Sequence, residues 1–207
     1  MNRLLLQTLA LTLILLPPPN KRCQAQADSS DTGTDVLIAY YSQTGSTERL
    51  AHAVREGALR VPHTEVMLKR VHEVTREDLV TADAIILGSP TYYGTMAGPM
   101  KVFIDNWGFK YGIYLGDKVG GAFATGSGEA GGKEQVIVSL LLAMMNNGMI
   151  VVGPVYEDGP ISYGNFGAGS TTGFGTEPVA SEQGLDQARR LGERVARVTQ
   201  HMHPGAN

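Results

Sequence analysis

VLIAYYSQTGSTERLAHAV, residues Val36–Val54, gives the clearest indication of the fold class. Its first six residues, Val36–Tyr41, are apolar throughout, as is typical of a strand that is covered on both faces. A polar loop, Ser42–Thr47, follows, and apolar residues then recur at helical spacing in Glu48–Leu59. A buried strand that passes through a short loop into a helix is the first half of a βαβ unit, in which successive strands are parallel.

The same alternation continues along the chain. It predicts four more strands and four more helices, and a long glycine-rich loop separates the last strand from the last helix. Five strands alternating with helices predict an α/β fold with a doubly wound five-stranded parallel sheet and helices on both faces. The further strands are expected at Thr64–Leu68, Ala84–Gly88, Val119–Ala124 and Met149–Val152, the helices at Asp78–Ala82, Pro99–Asn106, Lys133–Asn147 and Ser181–Val198, and the loop at Gly153–Ala180.

The first 27 residues have the pattern of a secretory signal. Arg3 precedes an apolar run, Leu4–Leu16, which is too short to span a membrane, and Ala25-Gln26-Ala27 offers a cleavage site. A secreted or periplasmic protein is therefore expected, and the alternatives are membrane anchoring through an uncleaved N-terminus and a buried helix. The remaining chain is expected to form a flexible lead-in at 28–34, one folded domain at 35–200 and a disordered tail at 201–207.

Charge and cysteine content exclude several classes of function. The chain of 207 residues has 17 Lys and Arg against 20 Asp and Glu, which gives a net charge of −3 at pH 7. This mildly acidic balance excludes a general nucleic-acid-binding surface. The single cysteine, Cys23, excludes an intramolecular disulfide and a thiolate zinc site. The five histidines show no metal-ligand spacing, so we expect no metal.

Three loops leave the carboxyl ends of the predicted strands, where ligands of such sheets bind. The first loop offers four hydroxyl groups at the start of a helix, an arrangement that suits a phosphate monoester. It lacks the Gly-Lys-Ser/Thr sequence of a P-loop, and a serine or threonine cap with nothing bound is the alternative. The candidate binding residues of this first loop are Ser42, Gln43, Thr44, Gly45, Ser46 and Thr47.

The second and third loops suit a flat ring. Paired tyrosines in the second loop, Pro90–Met96, can stack on such a ring, or else close the top of the core. The third loop, Thr125–Gly132, contains G-x-G-x-x-G, but it follows the fourth strand rather than the first. The acidic residue that a dinucleotide site has about 20 residues further on is also missing, since Gly148–Gly153 contains no acid. One phosphate loop and two ring loops favour FMN over a dinucleotide. The candidates are Pro90, Thr91, Tyr92, Tyr93 and Gly94 in the second loop, and Thr125, Gly126, Ser127, Gly128 and Glu129 in the third.

These segments together resemble a known family. Val36–Val54 is similar to the first strand, phosphate loop and helix of the tryptophan-repressor-binding-protein family of NAD(P)H:quinone oxidoreductases. SPTYYGTMAGPMKVFIDN, residues Ser89–Asn106, resembles that family's PTRFGNM…FLD segment. Ala124–Gly153, which contains GSGEAGGKEQ and NNGM, is similar to its STGTxxGGQE…HHGM segment. The resemblance covers about Asp35–Val155 and implies a flavodoxin-like fold.

The resemblance implies an FMN-dependent oxidoreductase that transfers two electrons from NAD(P)H to a quinone. The flavin carries the chemistry, so no side chain is expected to act as a catalytic group. The family also implies a homo-oligomer, a dimer or a tetramer, for which the aromatic segment Trp107–Tyr114 is a candidate interface. A flavodoxin-type one-electron carrier and a non-catalytic FMN-binding protein stay open as alternatives.

Carried over by position, Ser42–Thr47 surround the FMN phosphate, Thr91–Tyr93 line the ring and the ribityl chain, and Thr125–Glu129 approach the ring edge. Tyr111 and Asn147 are expected on the substrate side.

Two departures from the family concern the donor and the acceptor. Asn146-Asn147 replaces a histidine pair, and Thr44 replaces an aromatic residue that is linked to nicotinamide binding. The glycine-rich segment Gly164–Gly175 is expected to form an adaptable wall of the pocket, or else a flexible loop.

Overall fold

The computed structural model describes residues 33–157, 162–175, 177 and 179–202. The expected signal peptide, most of the lead-in and residues 203–207 of the expected tail lie outside these residues. Within them the chain forms nine strands and five helices. The strands are β1 (Thr34–Tyr40), β2 (Thr64–Arg70), β3 (Ala84–Tyr92), β4 (Thr95–Met96), β5 (Val119–Gly126), β6 (Ile150–Val151), β7 (Val155–Tyr156), β8 (Tyr163–Gly164) and β9 (Ala168–Thr171), and the helices are α1 (Ser46–Ala58), α2 (Arg76–Thr81), α3 (Gly98–Phe109), α4 (Lys133–Asn146) and α5 (Glu182–Met202).

The main sheet is parallel, in the order β2-β1-β3-β5-β6, which confirms the predicted α/β fold class. Its register sets Tyr40 level with Gly88, and Gly88 level with Phe123. β4 turns back along the end of β3 as an antiparallel partner. The carboxyl ends of β1, β3 and β5 therefore lie next to one another at one edge of the sheet.

The fifth position of the sheet is shared by two segments. β6 pairs with the first two residues of β5, and β9 pairs in parallel with its last four, Phe123–Gly126. The sequence predicts one strand, Met149–Val152, followed by a loop. The strand is present as β6, one residue shorter at each end. The loop prediction is wrong, because β7, β8 and β9 lie within it. β9 reads Ala-Gly-Ser-Thr, which carries no apolar run, and it is a strand because it pairs with β5 and packs against α5.

Helices cover both faces of the sheet. The core on one face combines α3 and α4 with the β1 side chains Leu37 and Ala39. The core on the other face combines α1 and α5 with Val36 and Ile38, which alternate with the first pair because successive strand residues point to opposite faces. None of the described helices is both long enough and apolar enough to cross a membrane.

The last helix runs four residues beyond its predicted end at Val198. His201 and Met202, which were expected in a disordered tail, belong to α5. The ring nitrogen Nδ1 of His201 lies 2.8 Å from the Arg197 carbonyl, and Gln200 Nε2 donates to the Pro62 carbonyl at 2.6 Å. The first contact lies within α5, and the second joins its last turn to the segment before β2.

Two glycines set the close approach of α1 and α5. A Cβ atom at Gly57 would overlap the Arg189 carbonyl, and one at Gly192 would overlap the Val54 carbonyl. Each helix thus places backbone where the other has no side chain. Because the overlapped atoms are backbone, they cannot give way as the end of a flexible side chain can.

Gly192→Ala is expected to lower the free energy of unfolding by about 2 kcal/mol or more, since the added methyl group forces α1 and α5 apart. Urea unfolding followed by circular dichroism measures this. Gly108→Ala in α3 is the matched control, because a Cβ there meets no heavy atom within 4 Å and alanine favours a helix over glycine by roughly 1 kcal/mol. Wild-type stability in Gly192→Ala would contradict the close approach.

Candidate functional site

The three loops identified in the sequence meet at the carboxyl edge of the sheet. Thr47 Oγ1 and Thr125 Oγ1 share a buried hydrogen bond of 2.8 Å, which joins the first loop to the third. Tyr92 OH donates to Gln43 Oε1 at 2.9 Å, which joins the second loop to the first. A Cβ at Gly132 would lie 3.2 Å from Gly94 Cα, so the third loop also touches the second. The structure therefore brings all three candidate segments together.

The first loop leads directly into α1 and leaves the start of this helix open. Gly45 takes a left-handed conformation, φ 90°, and no side chain caps the helix. The Ser42 hydroxyl accepts a bond from Gly45 N–H at 3.0 Å, and Ser42, Ser46 and Thr47 are all buried. The free N–H groups of a helix start, with hydroxyls beside them, form a binding site for an anion.

Arg70 supplies positive charge behind this loop, which itself has no Lys or Arg. Its guanidinium donates to the Ser42 carbonyl and to Glu48 Oε2, each at 2.8 Å. It also lies over the Tyr40 ring, 5.6 Å from the centroid. Sequence reasoning missed Arg70 because it comes from the end of β2, 28 residues from Ser42. The pairing of β1 with β2, which sets Tyr40 opposite Arg70, is what brings it here.

Tyr40, Glu48 and Arg70 form one hydrogen-bonded group beneath the first loop. Tyr40 OH donates to Glu48 Oε1 at 2.5 Å. Burial, together with the bond to Glu48, raises the pKa of Tyr40 to about 12. The bond from Tyr40, with the Arg70 charge, holds the pKa of Glu48 below its usual value. At neutral pH the group is therefore a neutral phenol, a carboxylate and a guanidinium.

The second loop is a tight hairpin rather than an open loop, because Pro90, Thr91 and Tyr92 continue β3 and the last two of them pair with β4. Tyr93 and Gly94 form its turn, with φ of 52° and 80°. Tyr93 is fully exposed in this left-handed conformation, which costs free energy in a residue with a side chain. The tyrosine thus stands clear of the core with its ring available.

Thr91 has a buried hydroxyl with no hydrogen-bond partner among the described residues. The position of a Cβ built on Gly126 lies 3.6 Å from this hydroxyl, so Thr91 borders the third loop across a residue that has no side chain. Buried hydroxyls are normally satisfied. A polar ligand beside the second and third loops would give the Thr91 hydroxyl the hydrogen-bond partner that it lacks.

The third loop is fixed by the strand that follows it in the sheet. Thr172 N–H donates to the Gly126 carbonyl at 2.9 Å, and Gly173 N–H donates to the Ser127 carbonyl at 3.1 Å. Lys133 Nζ donates to the Glu129 carbonyl at 2.8 Å. The glycine-rich segment Gly164–Gly175 is therefore not a plain flexible loop, because β9 and these bonds order its centre.

The structure does not bring Asn147 or Tyr111 to the three loops. Asn147 follows α4, its Nδ2 donates to the Ala143 carbonyl at 2.8 Å, and the next residue accepts a bond from Asp117 N–H, two residues before β5 begins. It thus lies at the opposite edge, roughly 25 Å away along the eight residues of β5. Tyr111 follows α3, which also runs away from the site, and packs against the core. The expectation that Asn147 and Tyr111 lie on the substrate side is therefore wrong within one chain.

Comparison with known proteins decides the family. Residues 72–158 match the family model of NADPH-dependent FMN reductase. A protein from Geotalea uraniireducens (strain Rf4), NAD(P)H dehydrogenase (quinone), is 35% identical over 196 residues, which cover 79% of this chain and 96% of that protein. The chain belongs to the NAD(P)H dehydrogenase (quinone) family. This membership confirms the resemblance found in the sequence.

Other proteins similar to this chain are named as flavodoxins. One from Aquifex aeolicus (strain VF5) is 37% identical over 169 residues, 78% of this chain and 84% of that protein. A WrbA-like flavodoxin structure from Agrobacterium tumefaciens superposes with a TM-score of 0.66 at 26% identity and covers 82% of this chain and 99% of that one. The sheet order and its helices are thus those of a flavodoxin-like fold.

Tyr40→Phe is expected to destabilise the protein at pH 7, and the gap to wild type should narrow as the pH falls below the usual range of a glutamate. The depressed pKa of Glu48 contributes stability that is present above its unfolded-state pKa and is lost as the pH falls through its folded-state value. Phenylalanine removes the bond that depresses this pKa. Urea unfolding at pH 7, 5 and 3 measures the gap, and a gap independent of pH would contradict the assignment.

Proposed function

We propose that this chain is an FMN-dependent oxidoreductase that transfers two electrons from NAD(P)H to a quinone. The observation that carries the proposal is the meeting of three loops at one edge of the sheet, with an open helix start on one side and an unpartnered buried hydroxyl, that of Thr91, on the other. Membership in the NAD(P)H dehydrogenase (quinone) family supports the donor and the acceptor.

The described residues fit FMN segment by segment. The first loop and the N–H groups at the start of α1 would hold the phosphate, whose negative charge the helix start favours. The Thr91 hydroxyl would gain the partner that it lacks. The Thr125 hydroxyl would donate to Thr47 Oγ1, which leaves the Thr47 proton for the phosphate. The third loop would then contact the ring through the backbone from Gly126 to Glu129. The exposed ring of Tyr93 offers a face on which the flavin can stack.

Bound FMN supplies the redox chemistry, by which NAD(P)H, a proton and a quinone become NAD(P)⁺ and a hydroquinone. The protein's residues bind and orient. The hairpin turn at Tyr93 and Gly94 and the bonded third loop would form two fixed walls of the binding site, which donor and acceptor would enter in turn. Ser42–Thr47, Pro90–Gly94 and Thr125–Glu129 offer no His or Lys side chain, and in this proposal water and the reactants supply the protons.

The decisive experiment mixes the FMN-loaded protein with NADH or NADPH and a soluble benzoquinone. The proposal expects turnover with parallel-line double-reciprocal plots, because the donor leaves before the acceptor binds. No turnover with either donor would exclude it. The relatives named as flavodoxins favour a one-electron carrier as the second candidate. Titration of the FMN-loaded protein with dithionite would then show reduction in two separate one-electron stages.

Ser42→Ala/Thr47→Ala is expected to weaken FMN binding by ten-fold or more. Each hydrogen bond to an ionised phosphate contributes roughly 1.5–3 kcal/mol, and ~1.4 kcal/mol corresponds to one decade in affinity. Quenching of FMN fluorescence on titration with the apoprotein measures the dissociation constant. Thr81→Ala, which removes an exposed hydroxyl bonded to the Glu77 carbonyl in α2, is the control. Wild-type affinity in the double variant would refute the phosphate assignment.

Export and processing form a separate part of the proposal. The run Leu4–Leu16 and Ala25-Gln26-Ala27 support cleavage of a signal peptide, with Asp28 as the mature N-terminus of a secreted or periplasmic protein. Intact mass of the protein from its native host tests this. The mass of residues 28–207 is the expected result, and a full-length soluble species in the cytoplasm would contradict it.

Self-association is proposed through the outer surfaces of α3 and α4. Four apolar side chains are exposed there, those of Val102, Phe109, Leu142 and Met145. Both helices also bury apolar side chains on their inner faces, so each is apolar on two sides. Trp107, in the segment expected at the interface, is fully buried in the core instead. Light scattering should give a dimer or a tetramer, and Leu142→Lys should dissociate it. A monomeric mass for the wild-type protein at micromolar concentration would overturn this expectation.

A further inference from the structure

A cleft of about 700 Å³ lies behind the third loop, between α4, α5 and the end of the chain segment that leads into β9. Clefts of this size hold small organic ligands. The cleft shares Glu129 with the third loop, and its opposite wall begins at Ser181 and Gln183. It is therefore next to the proposed flavin site, and Glu129 is the one lining residue that is also assigned to FMN.

The floor of this cleft is kept free of side chains. Gly167 is glycine for a packing reason, because a Cβ there would overlap the Ala122 carbonyl. Gly169 has no such reason. A Cβ built on it would make ordinary contacts of 3.6 and 3.7 Å with Lys133 and 3.9 Å with Ile137, and its φ is not in the left-handed region. A side chain at this position would fit the fold and would reduce the space in the cleft.

The walls carry neutral hydrogen-bonding groups. Gln187 Oε1 accepts a bond from Gly169 N–H at 3.1 Å, and its NH₂ group has no partner among the described residues. Gln183 is exposed, and its side-chain amide has no hydrogen bond within the described part of the chain. Amides of this kind offer donors and acceptors together. At the rim, Phe166 is 72% exposed and offers a ring face.

Charge in the cleft argues against a strongly anionic occupant. Lys133 is the one cation among the lining residues, and its ammonium is already bonded to the Glu129 carbonyl and lies 3.2 Å from the Glu134 carboxylate. The carboxylates of Glu129 and Glu134 outnumber it. A planar, uncharged group with a donor and acceptor edge fits the lining better than a phosphate.

We propose that this cleft binds the adenosine end of the nicotinamide dinucleotide donor. This inference rests on the proposed function, because it assumes that a dinucleotide is the donor. Adenine presents ring faces to Phe166 and a donor–acceptor edge to the amides of Gln183 and Gln187. The nicotinamide end would then reach the flavin site around Glu129, the residue that the cleft and the third loop share.

Adenosine alone is the probe, used with Gly169→Val and with Gly108→Val as the matched control. Valine suits a strand, and its methyl groups displace the flexible stem of Lys133 into the cleft. Calorimetry on the FMN-loaded protein should show adenosine binding to wild type and to Gly108→Val, and binding weakened by about ten-fold or more in Gly169→Val, because the occupied floor excludes the base. The KM for NADH should rise by a similar factor, with the KM for quinone and the FMN affinity unchanged.

Two results would overturn the inference. One is no binding of adenosine to the wild-type protein at millimolar concentration. The other is a Gly169→Val variant that binds adenosine and NADH as the wild-type protein does, with an unchanged KM for NADH. This result counts only if the variant also keeps the circular dichroism spectrum and the melting temperature of the wild-type protein. Failure of the proposed function can be told apart from failure of this inference. If the wild-type protein oxidises neither NADH nor NADPH but binds adenosine, and Gly169→Val loses that binding, the cleft is still an adenosine site.

Discussion

Burial of the central strands on both faces is the constraint on which the site depends. In β1, β3 and β5 almost every side chain is covered by helices, so these strands can present chemistry only where they end. The parallel register brings the three ends level, and the buried bond between Thr47 and Thr125 joins the segments that leave two of them. Phe123, whose ring occupies the space that a side chain at Gly88 would need, keeps β3 and β5 in that register.

The sequence could predict the fold because its main signals are local. Val36–Tyr41 is an uninterrupted apolar run, and the apolar spacing in Lys133–Asn146 gives α4 within one residue of its end. β9 could not be predicted, because Ala168–Thr171 is a strand only through its pairing with β5, about 45 residues earlier. A pattern within one segment does not contain such a non-local partner.

The same distinction separates the candidate residues. The three loops were found by a general rule about strand ends, and they meet in the structure. Asn147 and Tyr111 were placed by resemblance alone, and the helices before them carry both residues toward the other edge of the sheet. Arg70 is the opposite case, a residue beside the site that the sequence did not indicate. It lies directly behind the first loop, but only the pairing of β1 with β2 reveals it, since nothing in its own neighbourhood marks it.

The division of the last sheet position between β6 and β9 makes the site depend on the end of the chain. Until Ala168–Thr171 arrives, the second half of β5 is paired on one side only, and the third loop lacks its bonds from Thr172 and Gly173. β9 has four residues at an outer edge, so its detachment would be a local opening that leaves β1, β2 and β3 paired. Such an opening would break the bonds that Thr172 and Gly173 make to the third loop, so a ligand held by that loop would oppose it and keep β9 in the sheet.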